Sequence, residues 1–251
     1  MIQVVTFDFW QTLIIDTPEN LQRGRELRLE GTASVLARVG RPSRPEDLEA
    51  AYEASGIALT DRFWANHRDP PYREQVKIFL ELAAPGVTAD LSPELFEEAV
   101  AAYITPVLRL LPRPVAGAVE ALSALRELGV TLGIISNTGR TPGVVLRKVL
   151  DHYGLLGYFT VLSYSDEVGY RKPHPAIFTG TLRRAGAEPA HALHVGLVRQ
   201  RVAVQLDDDR VTGLLRRLGG LGGARRDDRL RNRQAVIGQQ RLGFVFGQDR
   251  A

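Results

Sequence analysis

The chain has 251 residues, 44% of them hydrophobic and 24% charged, which suits one large domain or a core with an inserted domain. It has no cysteine, which excludes disulfides, thiolate metal sites and a cysteine nucleophile, and no apolar run long enough to span a membrane. The net charge of +3 is unevenly distributed along the chain. Residues 197–251 hold 12 arginines and 6 acidic residues, a net charge of +6, which leaves −3 for residues 1–196. A membrane or nucleic-acid partner is therefore not expected, and the first ten residues lack the features of a signal peptide, which favours a cytoplasmic location.

The chain opens with a short apolar run over residues 3–7, which predicts a buried parallel strand ending at Asp8. Residues 15–112 then show helical patterns only. Signals for helix starts are Thr17-Pro18, Ser43 with Glu46, and Ser92-Pro93. We therefore predict a helical domain inserted after the first strand, with linkers near residues 15–17 and 111–114. A structural insertion without a catalytic role is the alternative.

Beyond this insertion, strands and helices alternate. Strands are predicted at residues 130–135, 160–162 and 192–195, and helices from Thr141 to Gly154 and over residues 175–185. Such alternation is typical of a parallel, doubly wound sheet. The predicted fold is α/β, with a Rossmann-like core formed by residues 1–14 and 113–196 and an all-helical cap domain formed by residues 15–112.

Three segments in the predicted core carry candidate catalytic residues. They are FDFWQTL at residues 7–13, IISNT at residues 134–138 and EVGYRKPHPAIF at residues 167–178. Together they resemble the motifs of the haloacid dehalogenase-like (HAD-like) hydrolase superfamily. In that family an Asp ends the first strand and precedes x-Asp-Gly-Thr-Leu, a Ser or Thr ends a later strand, and a Lys lies in a K-P-x-P-x-x-F setting. The resemblance covers about residues 1–196 and implies a hydrolase with a helical cap inserted after the first motif.

The resemblance implies a role for each matched residue. Asp8 would be the nucleophile that forms a covalent aspartyl ester, and Lys172 the charge that holds Asp8 and the substrate anion. The Ser136 hydroxyl would bind oxyanions of the substrate, with Asn137 also at the substrate site or shaping the turn there. Taken singly, these residues also have structural interpretations, as a turn former, a helix cap and a solvated charge. The strand-end positions of Asp8 and Ser136 favour the catalytic interpretation, because ligand crevices of doubly wound sheets lie beyond the carboxyl ends of the strands.

Two departures from the family pattern bear on the chemistry. Trp10 stands where the family phosphatases have an Asp that acts as general acid and base, a loss that typically costs ~10²–10⁴-fold in rate. Leu197 follows Gly196 where those phosphatases have an Asp that binds Mg²⁺, so the fourth motif is missing. Asp207, Asp208 and Asp209 come about ten residues later, and we interpret them as a solvated acidic loop.

These observations predict hydrolysis of a small phosphorylated metabolite through an aspartyl-phosphate, assisted by Mg²⁺. The metal would be held by the Asp8 carboxylate and the backbone carbonyl of Trp10. One alternative is hydrolysis of a haloacid without a metal, which tolerates Trp10 because a halide leaves without a proton. The other is a degenerate member of the family that only binds its ligand. We expect a monomer or a homodimer.

The composition changes abruptly after Gly196. Residues 197–251 contain no Pro, Ser, Lys, Glu, Tyr, Trp or His, and they are rich in Arg and Gly, which is a poor basis for a packed core. We hypothesise a frameshift near codon 196. Sequencing the gene tests this, and the absence of a family-like continuation in either alternative frame would contradict it.

Overall fold

The computed structural model describes residues 1–196. The strands in this part are, in chain order, β1 (Val4–Phe7), β2 (Ile14–Ile15), β3 (Arg113–Pro114), β4 (Thr131–Ser136), β5 (Val161–Tyr164) and β6 (Ala192–Val195). The α-helices are α1 (Pro18–Arg38), α2 (Pro45–Arg62), α3 (Tyr72–Ala83), α4 (Val87–Asp90), α5 (Pro93–Ile104), α6 (Pro106–Arg109), α7 (Ala118–Glu127), α8 (Gly143–His152), α9 (Ser165–Val168) and α10 (Pro175–Ala185). Expectations for residues 197–251, including Asp207–Asp209, lie outside the described residues.

Four strands form a parallel sheet in the order β5-β4-β1-β6. The chain runs from β1 to β4 and β5 on one side and returns to β6 on the other side, so β1 is the point at which the strand order reverses. Every residue of β1 is buried, as its apolar sequence requires. The predicted α/β class with a doubly wound parallel sheet is confirmed. Ligands of such sheets bind at the carboxyl end of the strands beside the reversal, which here is the end of β1.

A helical insertion separates β1 from the rest of the sheet. It contains α1 to α6, and its two ends are joined by the antiparallel pair β2 and β3, in which Ile14 lies opposite Pro114. One continuous buried apolar cluster includes Phe7 of the sheet and Phe79 of the insertion, so the two parts pack against each other. The predicted helical insertion is confirmed, whereas the boundaries given above for the two domains stay predictions. None of the helices described in residues 1–196 is long and apolar enough to cross a membrane.

The starts of the inserted helices follow the local signals in two cases of three. The Thr17 side chain accepts a hydrogen bond from the Asn20 N–H at the start of α1, and Ser92 caps α5 in the same way. The expected cap at Ser43 is wrong. Helix α2 has Arg44 at its N-cap, with no side-chain capping bond. The proline at its first position supplies the helix start instead.

Candidate active site

Asp8 and Lys172 meet at the carboxyl end of β1. The Lys172 Nζ atom lies 2.9 Å from Asp8 Oδ1, and the two side chains are 15% and 22% exposed. Burial lowers the pKa of the Lys172 ammonium, and the neighbouring Asp8 carboxylate opposes that shift. The pairing therefore helps to keep a positive charge in a largely buried place, next to a carboxylate that substrate can still reach.

The two oxygens of the Asp8 carboxylate have different surroundings. Oδ1 accepts the Lys172 ion pair and also a hydrogen bond from the Phe9 N–H at 2.8 Å. Oδ2 has no hydrogen-bond partner among residues 1–196. The Asp8 N–H donates to the Val195 carbonyl at 2.8 Å, which fixes the backbone to β6. One oxygen is thus held in place while the other is available for attack, as a nucleophile requires.

The chain turns sharply after Asp8. The N–H groups of Leu13 and Ile14 both donate to the Phe9 carbonyl, at 3.0 and 3.1 Å. Gln11 has a φ of 59° in this turn, a left-handed conformation that costs a non-glycine residue about 1–2 kcal/mol. Gln11 occupies the glycine position of the family's first motif, where a glycine would adopt this backbone conformation without that strain.

Asn137 is bound to the backbone of Lys172. Its Nδ2 donates to the Lys172 carbonyl at 3.0 Å, and its Oδ1 accepts from the Lys172 N–H at 2.6 Å. This reciprocal pair fixes the loop that carries the lysine. The contacts favour a positioning role for Asn137, and direct contact with substrate stays a prediction.

Ser136 ends β4, the strand beside β1. Phe7 lies opposite Ile134 in the parallel register, so Asp8 and Ser136 emerge at the same edge of the sheet. The Ser136 side chain is buried, and its hydroxyl donates a long hydrogen bond of 3.4 Å to the Asn137 carbonyl. A bond of that length is weak. The hydroxyl can therefore exchange it for a stronger acceptor, and its role as an oxyanion ligand stays a prediction.

Few metal ligands surround Asp8. Among residues 1–196 no group of three or more His, Asp or Glu side chains could hold a metal ion. The predicted ligands are the Asp8 carboxylate and the Trp10 carbonyl. Mg²⁺ is usually held by one or two carboxylates together with substrate phosphate and water, so this pair with water alone would hold Mg²⁺ weakly, and the metal stays a prediction. The position after Gly196 adds no carboxylate, because it is Leu197.

His194 lies on β6 beside this site and was not among the candidate site residues. Thr6 Oγ1 lies 3.0 Å from its Nδ1 atom. Burial, with a smaller contribution from the charge of Lys172, lowers the pKa of His194 well below 6.5, so the imidazole is neutral near pH 7. A neutral ring adds no second positive charge beside Lys172. A polar residue within the apolar run of residues 192–195 was the signal that could have pointed to it.

Asp166, at the start of α9, is a second buried titratable group near these loops. Its Oδ1 accepts a hydrogen bond from the Gly143 N–H at 3.1 Å, while its Oδ2 is buried without a hydrogen-bond partner in the described part of the chain. Burial raises its pKa to about 6 from the ordinary 3.8, with smaller contributions from the charges of Glu167 and Asp69. The folded protein therefore holds this proton to a higher pH than the unfolded chain does.

We expect Asp166→Asn to stabilise the protein above pH 6. In the wild type, the unfolded state loses the proton first, so the free energy of unfolding falls as pH rises from about 3.8 to about 6. The full penalty, up to about 3 kcal/mol, remains at higher pH, and the neutral asparagine does not incur it. Urea unfolding of both proteins at pH 4 and pH 8 measures the effect. A difference that does not grow with pH would contradict this account.

A family model and relatives of known function identify the family. The family model, described as haloacid dehalogenase-like hydrolase, matches residues 2–196. A glyceraldehyde 3-phosphate phosphatase from Pyrococcus abyssi is 30% identical over 198 residues, which cover 78% of this chain and 73% of that protein. A protein of the same name from Methanopyrus kandleri is 33% identical over 112 residues, which cover 44% of this chain and 46% of the relative, so this alignment spans about half of that protein's length.

One solved structure supports the fold. The 2-haloacid dehalogenase from Pseudomonas syringae superposes with a TM-score of 0.54 at 22% identity, and the match covers 86% of this chain and 99% of that chain. This likeness shows that the two chains share a fold. The family itself is shown by the model that matches residues 2–196. The chain belongs to the haloacid dehalogenase-like hydrolases.

Proposed function

We propose that the protein is a phosphatase that hydrolyses a small phosphorylated metabolite through an aspartyl-phosphate on Asp8, assisted by Mg²⁺. The observation that carries the proposal is the Asp8–Lys172 pair, whose 2.9 Å contact holds Oδ1 and leaves Oδ2 without a partner among residues 1–196. Relatives named glyceraldehyde 3-phosphate phosphatase and phosphoglycolate phosphatase support a small phosphorylated metabolite as substrate. Both named substrates are alkyl phosphates, so these relatives support the phosphatase class but not the leaving group that Trp10 favours.

In the first step, Asp8 Oδ2 attacks phosphorus and the bond from phosphorus to the leaving oxygen breaks. The Lys172 ammonium holds Oδ1 and attracts the phosphoryl oxygens, while the Ser136 hydroxyl donates to one of them. In the second step, water attacks phosphorus, the bond to Oδ2 breaks, and Asp8 returns as a carboxylate with inorganic phosphate released. The Asp8 carboxylate and the Trp10 carbonyl would hold Mg²⁺, which would supply positive charge to the phosphoryl oxygens.

Trp10 restricts the leaving group. The indole carries no proton that it can give up near neutral pH, so the leaving oxygen departs as an anion. An acyl or aryl phosphate provides a stable anion, whereas an alkyl phosphate provides a basic alkoxide that needs a general acid. Since general acid catalysis is typically worth ~10²–10⁴-fold, we expect acyl and aryl phosphates to be preferred by about that factor.

Hydrolysis of p-nitrophenyl phosphate by the full chain tests the proposal. We expect turnover that is lost on treatment with EDTA and restored by Mg²⁺, and much slower turnover of glycerol phosphate, an alkyl ester. Turnover that EDTA does not reduce would show that the reaction does not need Mg²⁺. A folded protein that releases no phosphate under either condition would contradict phosphatase activity.

A second candidate function is hydrolysis of a haloacid, which Trp10 permits because a halide leaves without a proton. In that reaction Asp8 Oδ2 attacks the carbon that bears the halogen, the carbon–halogen bond breaks, and halide departs without a proton. Water then attacks the carbonyl carbon of the Asp8 ester, which releases the hydroxy acid. Halide release from 2-chloropropionate in the presence of EDTA would support this function. Binding of phosphate without turnover of either substrate would indicate a protein that only binds.

A further inference from the structure

An aspartate of the insertion is fully buried and heavily hydrogen-bonded. The Asp69 side chain is 0% exposed, and an ionised carboxylate in such a place needs partners for its oxygens. It has five. Oδ1 accepts from Trp64 Nε1 at 2.8 Å and Gln75 Nε2 at 3.4 Å, and Oδ2 accepts from Thr138 Oγ1 at 3.3 Å, Arg171 NH1 at 2.8 Å and Ser165 Oγ. We call these six residues the Asp69 cluster.

The donors come from both parts of the molecule. Trp64 and Gln75 belong to the insertion, whereas Thr138 and Arg171 belong to loops, and Ser165 begins α9, at the carboxyl end of the sheet. Thr138 directly follows the Ser136-Asn137 pair, and Arg171 directly precedes Lys172. Arg171 also donates to the Thr138 carbonyl at 2.5 Å, so it joins the two loops to each other. One carboxylate from the insertion thus binds both loops that carry candidate catalytic residues.

Backbone hydrogen bonds also join the insertion to the loop that precedes Lys172. Arg68 and Tyr170 form an antiparallel bridge between the insertion and the loop before Lys172. The Arg171 N–H donates to the His67 carbonyl at 2.8 Å, and the Asp69 N–H donates to the Gly169 carbonyl at 3.1 Å. The insertion is therefore hydrogen-bonded to the core within a few residues of the lysine that pairs with Asp8.

We propose that Asp69 is a positioning residue of the active site, which holds the insertion closed on the two catalytic loops and sets the place of Lys172 relative to Asp8. It acts through Arg171 and Thr138 and touches no reacting atom. The first test of this proposal measures turnover and therefore rests on the proposed phosphatase activity. A second test measures hydrogen exchange, which needs no turnover.

The first measurement compares Asp69→Asn with the wild type in the full chain. Asparagine keeps the shape, but it replaces one acceptor oxygen with a donor and removes the charge that Arg171 faces. We expect kcat for p-nitrophenyl phosphate to fall about 10–100-fold, since displacement of a catalytic group by about 1 Å can cost that much, while KM changes less than about threefold. The control is Asp90→Asn, an exposed carboxylate of the insertion that pairs with Arg41, and it should leave both constants unchanged.

The second measurement is amide hydrogen exchange, read by mass spectrometry in the wild type and both variants. We expect Asp69→Asn to speed exchange selectively in residues 137–142 and 165–172, and Asp90→Asn to have no effect there. Unchanged exchange in these segments would overturn the proposal, as would unchanged kcat in an active protein. Faster exchange throughout the chain would also overturn it, because it would indicate a general loss of stability. If the wild type shows no turnover, the proposed function fails and exchange alone decides for or against the role of Asp69.

Discussion

Replacing Asp8 with Asn is expected to lower kcat/KM for p-nitrophenyl phosphate by at least about 10³-fold, because loss of a nucleophile in a hydrolase removes the covalent route. The amide oxygen carries no negative charge, and the Oδ2 position that faces no protein partner within residues 1–196 loses its power to attack. Steady-state kinetics with and without Mg²⁺ measure the loss.

The matched control is Asp151→Asn. Asp151 is an exposed residue of α8, so this variant makes the same chemical change without touching the Asp8–Lys172 pair. It should keep wild-type kinetics. Circular dichroism should show that both variants are folded. An Asp8→Asn protein with more than about a tenth of wild-type activity would rule out Asp8 as nucleophile.

Replacing Lys172 with Met is expected to lower kcat/KM by about 10²–10³-fold, comparable to the loss of one strong electrostatic contact to the transition state. Methionine has a similar length, but it lacks the ammonium that holds Asp8 Oδ1 and attracts the phosphoryl group. Stability should also fall, because the substitution leaves the Asp8 carboxylate, which is 22% exposed, without the cation that pairs with it. Burial lowers the pKa of the Lys172 ammonium, so removal of that buried charge offsets part of the loss.

Activity and thermal unfolding of Lys172→Met are therefore measured together. Lys148→Met is the control, because Lys148 is an exposed lysine on α8. The expected outcome is a large loss of activity in a protein that still unfolds cooperatively, at a melting temperature below that of the wild type. Activity within about threefold of wild type would contradict the charge role. Loss of cooperative unfolding would show instead that the lysine mainly supports the fold.

Much of the fold could be predicted because its signals are local. The predicted helix over residues 175–185 and the predicted strand over residues 192–195 have the observed bounds, since a proline and a glycine mark the helix and an apolar run marks the strand. The capping signal at Ser43 was misleading because Pro45 provides a competing start two residues later. Local patterns thus predicted the elements and their order.

The arrangement of the site could be predicted only in part. The family motifs pointed to Asp8 and Lys172, and the structure brings them into contact across 164 residues of sequence. The Asp69 cluster gave no such signal. Asp69 precedes two prolines and has the pattern of an ordinary turn, and its partner Arg171 is 102 residues away. Contacts between distant loops depend on how the insertion packs against the core, which no local pattern encodes.

The family model ends at Gly196, the point at which the composition of the sequence changes. A Cβ atom at Gly196 would lie 3.2 Å from the Cβ of Asp8, so the chain passes directly beside the candidate nucleophile before Leu197. Leu197, where the family phosphatases have the metal-binding Asp of the fourth motif, is the next residue. The proposed Mg²⁺ requirement and the origin of residues 197–251 are therefore linked. The chelation experiment tests the first, and gene sequencing tests the second.

We expect Asp8 to carry the phosphoryl group during turnover. This is tested by mixing the full chain with p-nitrophenyl phosphate and Mg²⁺, quenching with acid within the first turnovers, and mapping phosphorylated peptides by mass spectrometry. The expected result is a phosphoryl group on Asp8 that is absent from the Asp8→Asn protein. Phosphate release with no modification of Asp8, or with the phosphoryl group on another residue, would contradict it.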